Sequence, residues 1–183
     1  MVVPVVVIYG CAAASVLLGL AFAFARYPAI YVVSLADSRV ARLTSAPAPE
    51  GDPAWSPAWS PDGSRIAFVR GYMGSAEIYV MNADGSAPTR LTQNSTFDGI
   101  PSWAPDGSWI AFESGRDGDQ GFEIYVMRSD GSDVRWLTHD PAEDYSPSWS
   151  PDGRAIIFSS NRTGEYQLYV MNADSTGARP LAR

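Results

Sequence analysis

The phrase Trp-x-Pro-Asp-Gly occurs three times, and its spacing leaves this chain few folds. Trp59-Ser60-Pro61-Asp62-Gly63 returns as Trp103-Ala104-Pro105-Asp106-Gly107 and as Trp149-Ser150-Pro151-Asp152-Gly153, 44 and then 46 residues apart. Ile78-Tyr79-Val80 is a second marker, matched by Ile124-Tyr125-Val126, Leu168-Tyr169-Val170 and, earlier, Ile30-Tyr31-Val32. Leu91-Thr92 is a third, matched by Leu43-Thr44, Leu137-Thr138 and an incomplete Leu181. Three markers in step at 44 to 48 residues signal a repeat architecture, in which each repeat is one supersecondary unit.

One period reads as four short strands. Pro101-Ser102-Trp103 is a first strand, closed by the turn at Pro105 to Gly107, where proline presets φ and glycine accepts a positive φ. Trp109 to Glu113 is a second, with Ile110 and Phe112 on one face at period two. Glu123 to Met127 is a third, followed by the hairpin dipeptide Asp130-Gly131, and Val134 to Leu137 is a fourth. The composition agrees: 12% aromatics with 16 Gly and 14 Pro favours strands and turns. A lone four-stranded sheet with two apolar faces is not stable, and radial stacking of such sheets is a β-propeller. The expectation is an all-β propeller of four-stranded antiparallel blades. Trp59, Trp103 and Trp149, with Tyr79, Tyr125 and Tyr169, are expected to fill the gaps between blades. Asp62, Asp106 and Asp152, with Gly63, Gly107 and Gly153, are expected as turn formers, as are Asp84 and Asp130.

These motifs resemble the WD-like propeller repeat of the TolB family. That repeat reads Pro-x-Trp-Ser-Pro-Asp-Gly, Ile-Ala-Phe, Ile-Tyr-Val-Met-Asn, Asp-Gly and Leu-Thr, and it stands nearly complete from Pro57 to Thr92. Two further copies run from Pro101 to Thr138 and from Pro147 to Leu181. The resemblance implies three full blades, at about 47–94, 95–140 and 141–183, behind a two-strand half-blade at 26–46. TolB-like propellers are expected to carry about six blades. The expectation is therefore of an incomplete ring, as a fragment, a degenerate product or a subunit that closes by association. The domain that precedes the propeller in that family is expected to be absent. The implied function is a non-catalytic, exported scaffold for a protein or peptide partner. The alternative is a propeller fragment of a larger enzyme or sensor, either a prolyl oligopeptidase-type peptidase or a membrane kinase or transcription regulator.

Ahead of the repeats, Met1 to Ala25 carries no charge and is long enough to span a bilayer as a helix. It is expected as an apolar helix, either a signal peptide or a transmembrane anchor, placing the chain in the periplasm or outside the cell. Ala21-Phe22-Ala23 and Ala23-Phe24-Ala25 fit the small-x-small pattern of a cleavage site. Against export stand the flanks, with Arg26, Arg39 and Arg42 after the apolar run and no basic residue before it.

Chemistry is sparsely equipped. A net charge of −7 repels nucleic-acid backbones and suits a basic partner. One cysteine, Cys11, and one histidine, His139, exclude an internal disulfide and multi-histidine or multi-cysteine metal sites. No Gly-x-Ser-x-Gly occurs, and His139 reads as a variable loop residue. Asp117 and Asp119 sit in a Gly-rich loop whose counterparts, Gly71 to Ser75 and Asn161 to Glu165, lack that acidic pair, so no metal and no cofactor are expected. The candidate binding residues are Asp98 and Asp144, each three residues before the proline of a first strand, with Asp52 in their place in the first blade. First strands line a propeller's channel, which puts these carboxylates at one mouth of it. The other reading makes them structural caps of the loop. The two end faces of an open arc are expected to drive self-association.

Overall fold

In the computed structural model, residues 21–26, 29–34, 36–44, 52–116 and 121–181 are described. Fifteen strands form four antiparallel sheets and, among the described residues, no helix. The first sheet has three strands, β1 (Ala21–Arg26), β2 (Ala29–Ser34) and β3 (Val40–Arg42). The second comprises β4 (Ala54–Trp59), β5 (Arg65–Arg70), β6 (Glu77–Asn82) and β7 (Thr89–Arg90). The third is β8 (Asp98–Trp103), β9 (Trp109–Ser114), β10 (Glu123–Arg128) and β11 (Arg135–Trp136). The fourth repeats this order in β12 (Asp144–Trp149), β13 (Ala155–Ser160), β14 (Gln167–Asn172) and β15 (Arg179–Pro180). Each sheet packs on the one before it, and among the described residues the last does not touch the first. The arc is an open partial propeller.

Two sequence expectations are corrected at the leading end. The helix assigned to Met1–Ala25 fails where it enters the described residues, because Ala21–Arg26 is a strand. The alternation Ala-Phe-Ala-Phe-Ala has a strand period, and all six residues pair with β2, from Ala21 opposite Ser34 to Arg26 opposite Ala29. The rest of that expectation, residues 1–20 and Cys11 with them, lies outside the described residues. No described helix is long and apolar enough to cross a membrane. The leading sheet accordingly has three strands where two were expected, β1 pairing with β2 as β5 pairs with β6.

Every blade has two unlike faces, and period two creates them. Along β5, Ile66 and Phe68 join the cluster shared with the first sheet, whereas Ala67 joins the cluster shared with the third. Between the second and third sheets, Ala67, Ile78 and Val80 meet Trp103, Ile110, Phe112, Tyr125 and Met127. Between the third and fourth, Ala111, Ile124 and Val126 meet Ile156, Phe158, Tyr169 and Met171. A small, β-branched face thus receives the bulky face of the next blade. Complete burial of one such phenylalanine is worth about 1.5–3 kcal/mol. On the last blade no described residue covers the small face, and Leu168 is 57% exposed where Ile78 and Ile124 are fully buried.

The innermost strands share a bulge. Register shifts between Trp55 and Ala58, Gly99 and Ser102, and Tyr145 and Ser148, each time just before a proline. The extra residues Ser56, Ile100 and Ser146 take φ of 47°, 49° and 53°, unfavourable above all for β-branched Ile100. At the other end of these strands Gly63, Gly107 and Gly153 hold φ near 70° (69°, 72° and 70°). There the Asp62 carboxylate accepts from Ser60 Oγ at 2.6 Å and from Ser64 Oγ at 2.7 Å, bonds that draw its pKa down to about 2.

Candidate binding face

The innermost strands all begin on one face of the arc, and the repeat places an ionic anchor there. Asp98, first residue of β8, is completely buried opposite Ser114. Ser114 Oγ donates to Asp98 Oδ1 at 2.5 Å, while Asn94 Nδ2 and the Arg116 guanidinium donate to Oδ2 at 2.6 and 2.7 Å. The same guanidinium lies 4.9 Å over the ring of Tyr125 and 5.3 Å over Phe112. One blade later the aspartate–arginine pair returns, with Ser160 Oγ accepting from Arg162 and, among the described residues, Asp144 Oδ1 left without a hydrogen-bond partner. Arg162 bonds the buried Asp144 at 2.8 Å and stacks 4.8 Å over Tyr169, while Asp140 adds a second carboxylate at 2.9 Å. Burial raises the pKa of both aspartates, opposed by Ser114 and Arg116 at one and by Ser160 and Arg162 at the other.

Asp52 does not share this geometry. Strand pairing sets Ala54 opposite Arg70 where Asp98 stands opposite Ser114, so Ala54 holds the anchor position and Asp52 is exposed two residues outside it. Arg70 reaches Tyr79 at 5.9 Å, over the tyrosine equivalent to Tyr125. The structure therefore brings Asp98 and Asp144 into matching places and leaves Asp52 out. His139 is exposed in the loop after β11, its ring edge-on to Trp136 at 4.2 Å. Asp117 and Asp119 lie outside the described residues, and no group of three metal-ligating side chains occurs among those described.

Above the anchors runs a line of aromatic rings that the sequence reading did not single out. Trp55 stacks on Phe97 at 5.7 Å, Phe97 meets Phe122 edge-on at 5.2 Å, Phe122 meets Tyr145 at 5.2 Å, and Tyr145 meets Tyr166 at 5.9 Å. Five rings so cross three blades without interruption. Phe97 is buried as the keystone, Trp55, Phe122 and Tyr145 are half-buried, and Tyr166 is 54% exposed beside the Glu143 carboxylate that accepts its hydroxyl. Gly99 makes room, since a side chain there would strike the Phe97 ring. A signal existed in the sequence: Phe97 and Phe122 each sit one residue ahead of a strand's opening acidic residue, Asp98 and Glu123.

Two buried glutamates complete the face. Glu113 Oε2 accepts the N–H of Ser146, the bulged residue of the next blade, at 2.8 Å. Burial lifts its pKa to about 7, partly opposed by that N–H. Burial lifts Glu123 to about 7 as well, against the hydroxyl of Thr138, whose oxygen also accepts from Ile124 N. Glu113 thus ties its blade to the next, whereas Glu123 and Thr138 bond within one blade.

Comparison with known proteins agrees with this geometry. The family profile described as the TolB beta propeller domain matches residues 56–122 and 118–182. Comparison with curated sequences yields no significant match. Among solved structures, a putative TolB from Agrobacterium tumefaciens is 28% identical with a TM-score of 0.77, over 88% of this chain and 57% of that one. TolB from Acinetobacter baumannii is 27% identical with a TM-score of 0.74, over 89% of this chain and 41% of that one. A puromycin-hydrolyzing peptidase from Mycobacterium tuberculosis shares the fold, at 20% identity and a TM-score of 0.70, over 90% of this chain and 29% of that one. The chain thus spans well under two thirds of each of these proteins.

Proposed function

Because the chain belongs to the TolB beta propeller domain family, we propose that it is a non-catalytic scaffold binding a protein or peptide partner across the face where its innermost strands begin. The observation that carries this reading is the unbroken run of rings from Trp55 to Tyr166. Aromatic side chains give large contact areas at little entropic cost and are enriched at the centres of interfaces. Exposed Tyr72 and Met73, in the β5–β6 loop, extend the apolar surface on the same side. Asp98 and Asp144 serve the face from beneath, fixing Arg116 and Arg162 under the tyrosines that support it. The partner is met in the periplasm or outside the cell. Self-association through the uncovered end faces completes the ring.

The peptidase likeness favours a second reading, a propeller fragment of a larger enzyme. A photo-crosslinking residue at Tyr166 is expected to capture one discrete partner in envelope preparations, while one at exposed Val40 on β3 captures none. Equal capture at both positions, or none at Tyr166, counts against the scaffold. Turnover of ester or peptide substrates that disappears in His139→Ala would support the enzyme.

A further inference from the structure

On the opposite face, where the Pro-Asp-Gly turns lie, the third and fourth sheets part to leave a cleft of about 660 Å³. Its walls include Trp109, Trp136 and Trp149, and the turn carboxylates Asp106, Asp152 and Asp174 line it. The neighbouring cleft, one blade earlier, shows how this scaffold occupies such a space. There the guanidinium of Arg65 lies 4.9 Å over the indole of Trp103. Arg65 and Trp109 are register equivalents, each opening the second strand of its blade, opposite Asn82 and Arg128. Trp103 and Trp149 likewise close their first strands. The later cleft therefore keeps the receiving indole and replaces the arginine with a third tryptophan. The two guanidinium groups nearby lie on Trp109 itself, Arg128 at 4.7 Å and Arg135 at 4.6 Å. Among the described residues, none lies on Trp149.

Charge points the same way. Arg135 is the one cation lining the cleft, and Asp133 bonds it at 2.6 Å. Asp106, Asp152 and Asp174 accept from Ser108, Ser150 and Thr176, bonds that hold all three pKa values below the ordinary carboxylate range. Three carboxylates thus stay charged at neutral pH around an aromatic cavity with one cation already matched. A planar guanidinium, stacking by its face and donating from its edge, fits both wall types.

We propose that this cleft binds an arginine side chain of a basic peptide or protein segment, stacked on Trp149 as Arg65 is stacked on Trp103, with Asp152 and Asp174 receiving its N–H groups. The proposal rests on the reading of the chain as a binding scaffold, but uses the other face. The test titrates the full chain with acetyl-Gly-Arg-Gly-Arg-Gly-amide and with the same peptide carrying neutral citrulline for arginine, following tryptophan emission at low salt. Saturable binding of the arginine peptide is expected, with about tenfold weaker binding of the citrulline peptide. Asp152→Asn combined with Asp174→Asn, which keeps the turn-forming side chains, is expected to weaken the arginine peptide by about the same factor. Ala173→Tyr, which fills the cleft from its wall, should abolish binding. Absence of saturation, equal affinity for the two peptides, or undiminished binding by the filled variant would overturn the proposal. None of these results alters capture at Tyr166, so the cleft and the scaffold reading can fail separately.

Discussion

The first complete blade and the two that follow it share one backbone but not one ionic plan. In the later blades a buried aspartate and a serine both bond an arginine that lies over a tyrosine, and around Asp98 the Ser114 hydroxyl closes the network. In the first, Ala54 and Arg70 occupy the aspartate and serine positions, and Arg70 approaches Tyr79 without the carboxylate. The bulge and the turn survive this change. What the repeat requires is the backbone and its apolar faces, while the ionic anchor is an addition that individual blades carry or lack.

The largest expected effect tests that distinction. Asp98→Ala leaves Arg116 stacked and half-buried without its carboxylate, and is expected to cost about 3 kcal/mol in urea denaturation. Arg70→Ala should cost about 1 kcal/mol or less, the loss of a half-buried cation–π contact. Equal losses would mean that the anchor adds nothing beyond packing.

Next comes pH. Glu113 has a pKa of about 7 in the folded chain against 4.5 for the free group. The folded state therefore holds a proton that the unfolded state releases. The contribution is fullest below pH 4.5, falls as pH rises toward 7, and is lost above it. The loss amounts to at most about 3 kcal/mol. The first complete blade has Val69 at this register, opposite Trp55 as Glu113 is opposite Gly99. Glu113→Gln is expected to flatten the stability profile between pH 5 and 7; a profile unchanged by the substitution would remove Glu113 from the account.

A smaller contrast separates the tryptophans. Trp103 Nε1 donates to the carbonyl of Ala58 at 3.1 Å, whereas the buried Nε1 of Trp59 and of Trp149 has no hydrogen-bond partner. Trp103→Phe should therefore cost about 1 kcal/mol more than Trp149→Phe, the net worth of one hydrogen bond. Smallest of all, Asp52→Asn should shift stability by less than about 0.5 kcal/mol, because the residue is exposed and outside the anchor.

The blades were legible because turn chemistry and period-two apolarity repeat in step, so Trp59, Trp103 and Trp149 mark three strand ends without any coordinates. The anchor was half legible. Asp98 and Asp144 stand out by their spacing to a proline, but their partners, Ser114 and Arg116 for the one and Arg162 for the other, belong to another strand and loop. Asp52 misleads because the doubled Ala-Trp-Ser-Pro at 54–61 disguises the bulge, and only pairing shows Ala54 in the aspartate's place. Strand β1 hid inside an apolar run whose length suggested a helix, although its Ala-Phe alternation has a strand period. The aromatic run was missed because its members come from three blades at irregular spacing, and only Phe97 and Phe122 share a local signal. A chain of contacts between blades has no period to read.

The unlike faces of each blade give the stack a polarity. A small face accepts a bulky one and cannot be exchanged for it, so blades can be added in only one direction, as in a head-to-tail filament. A second molecule seated on the small face around Leu168 must present its own bulky face, and a two-fold axis cannot bring those two surfaces together. Any assembly built through this end is heterologous: it grows until curvature closes it, and the blade-to-blade rotation within the chain sets where that happens.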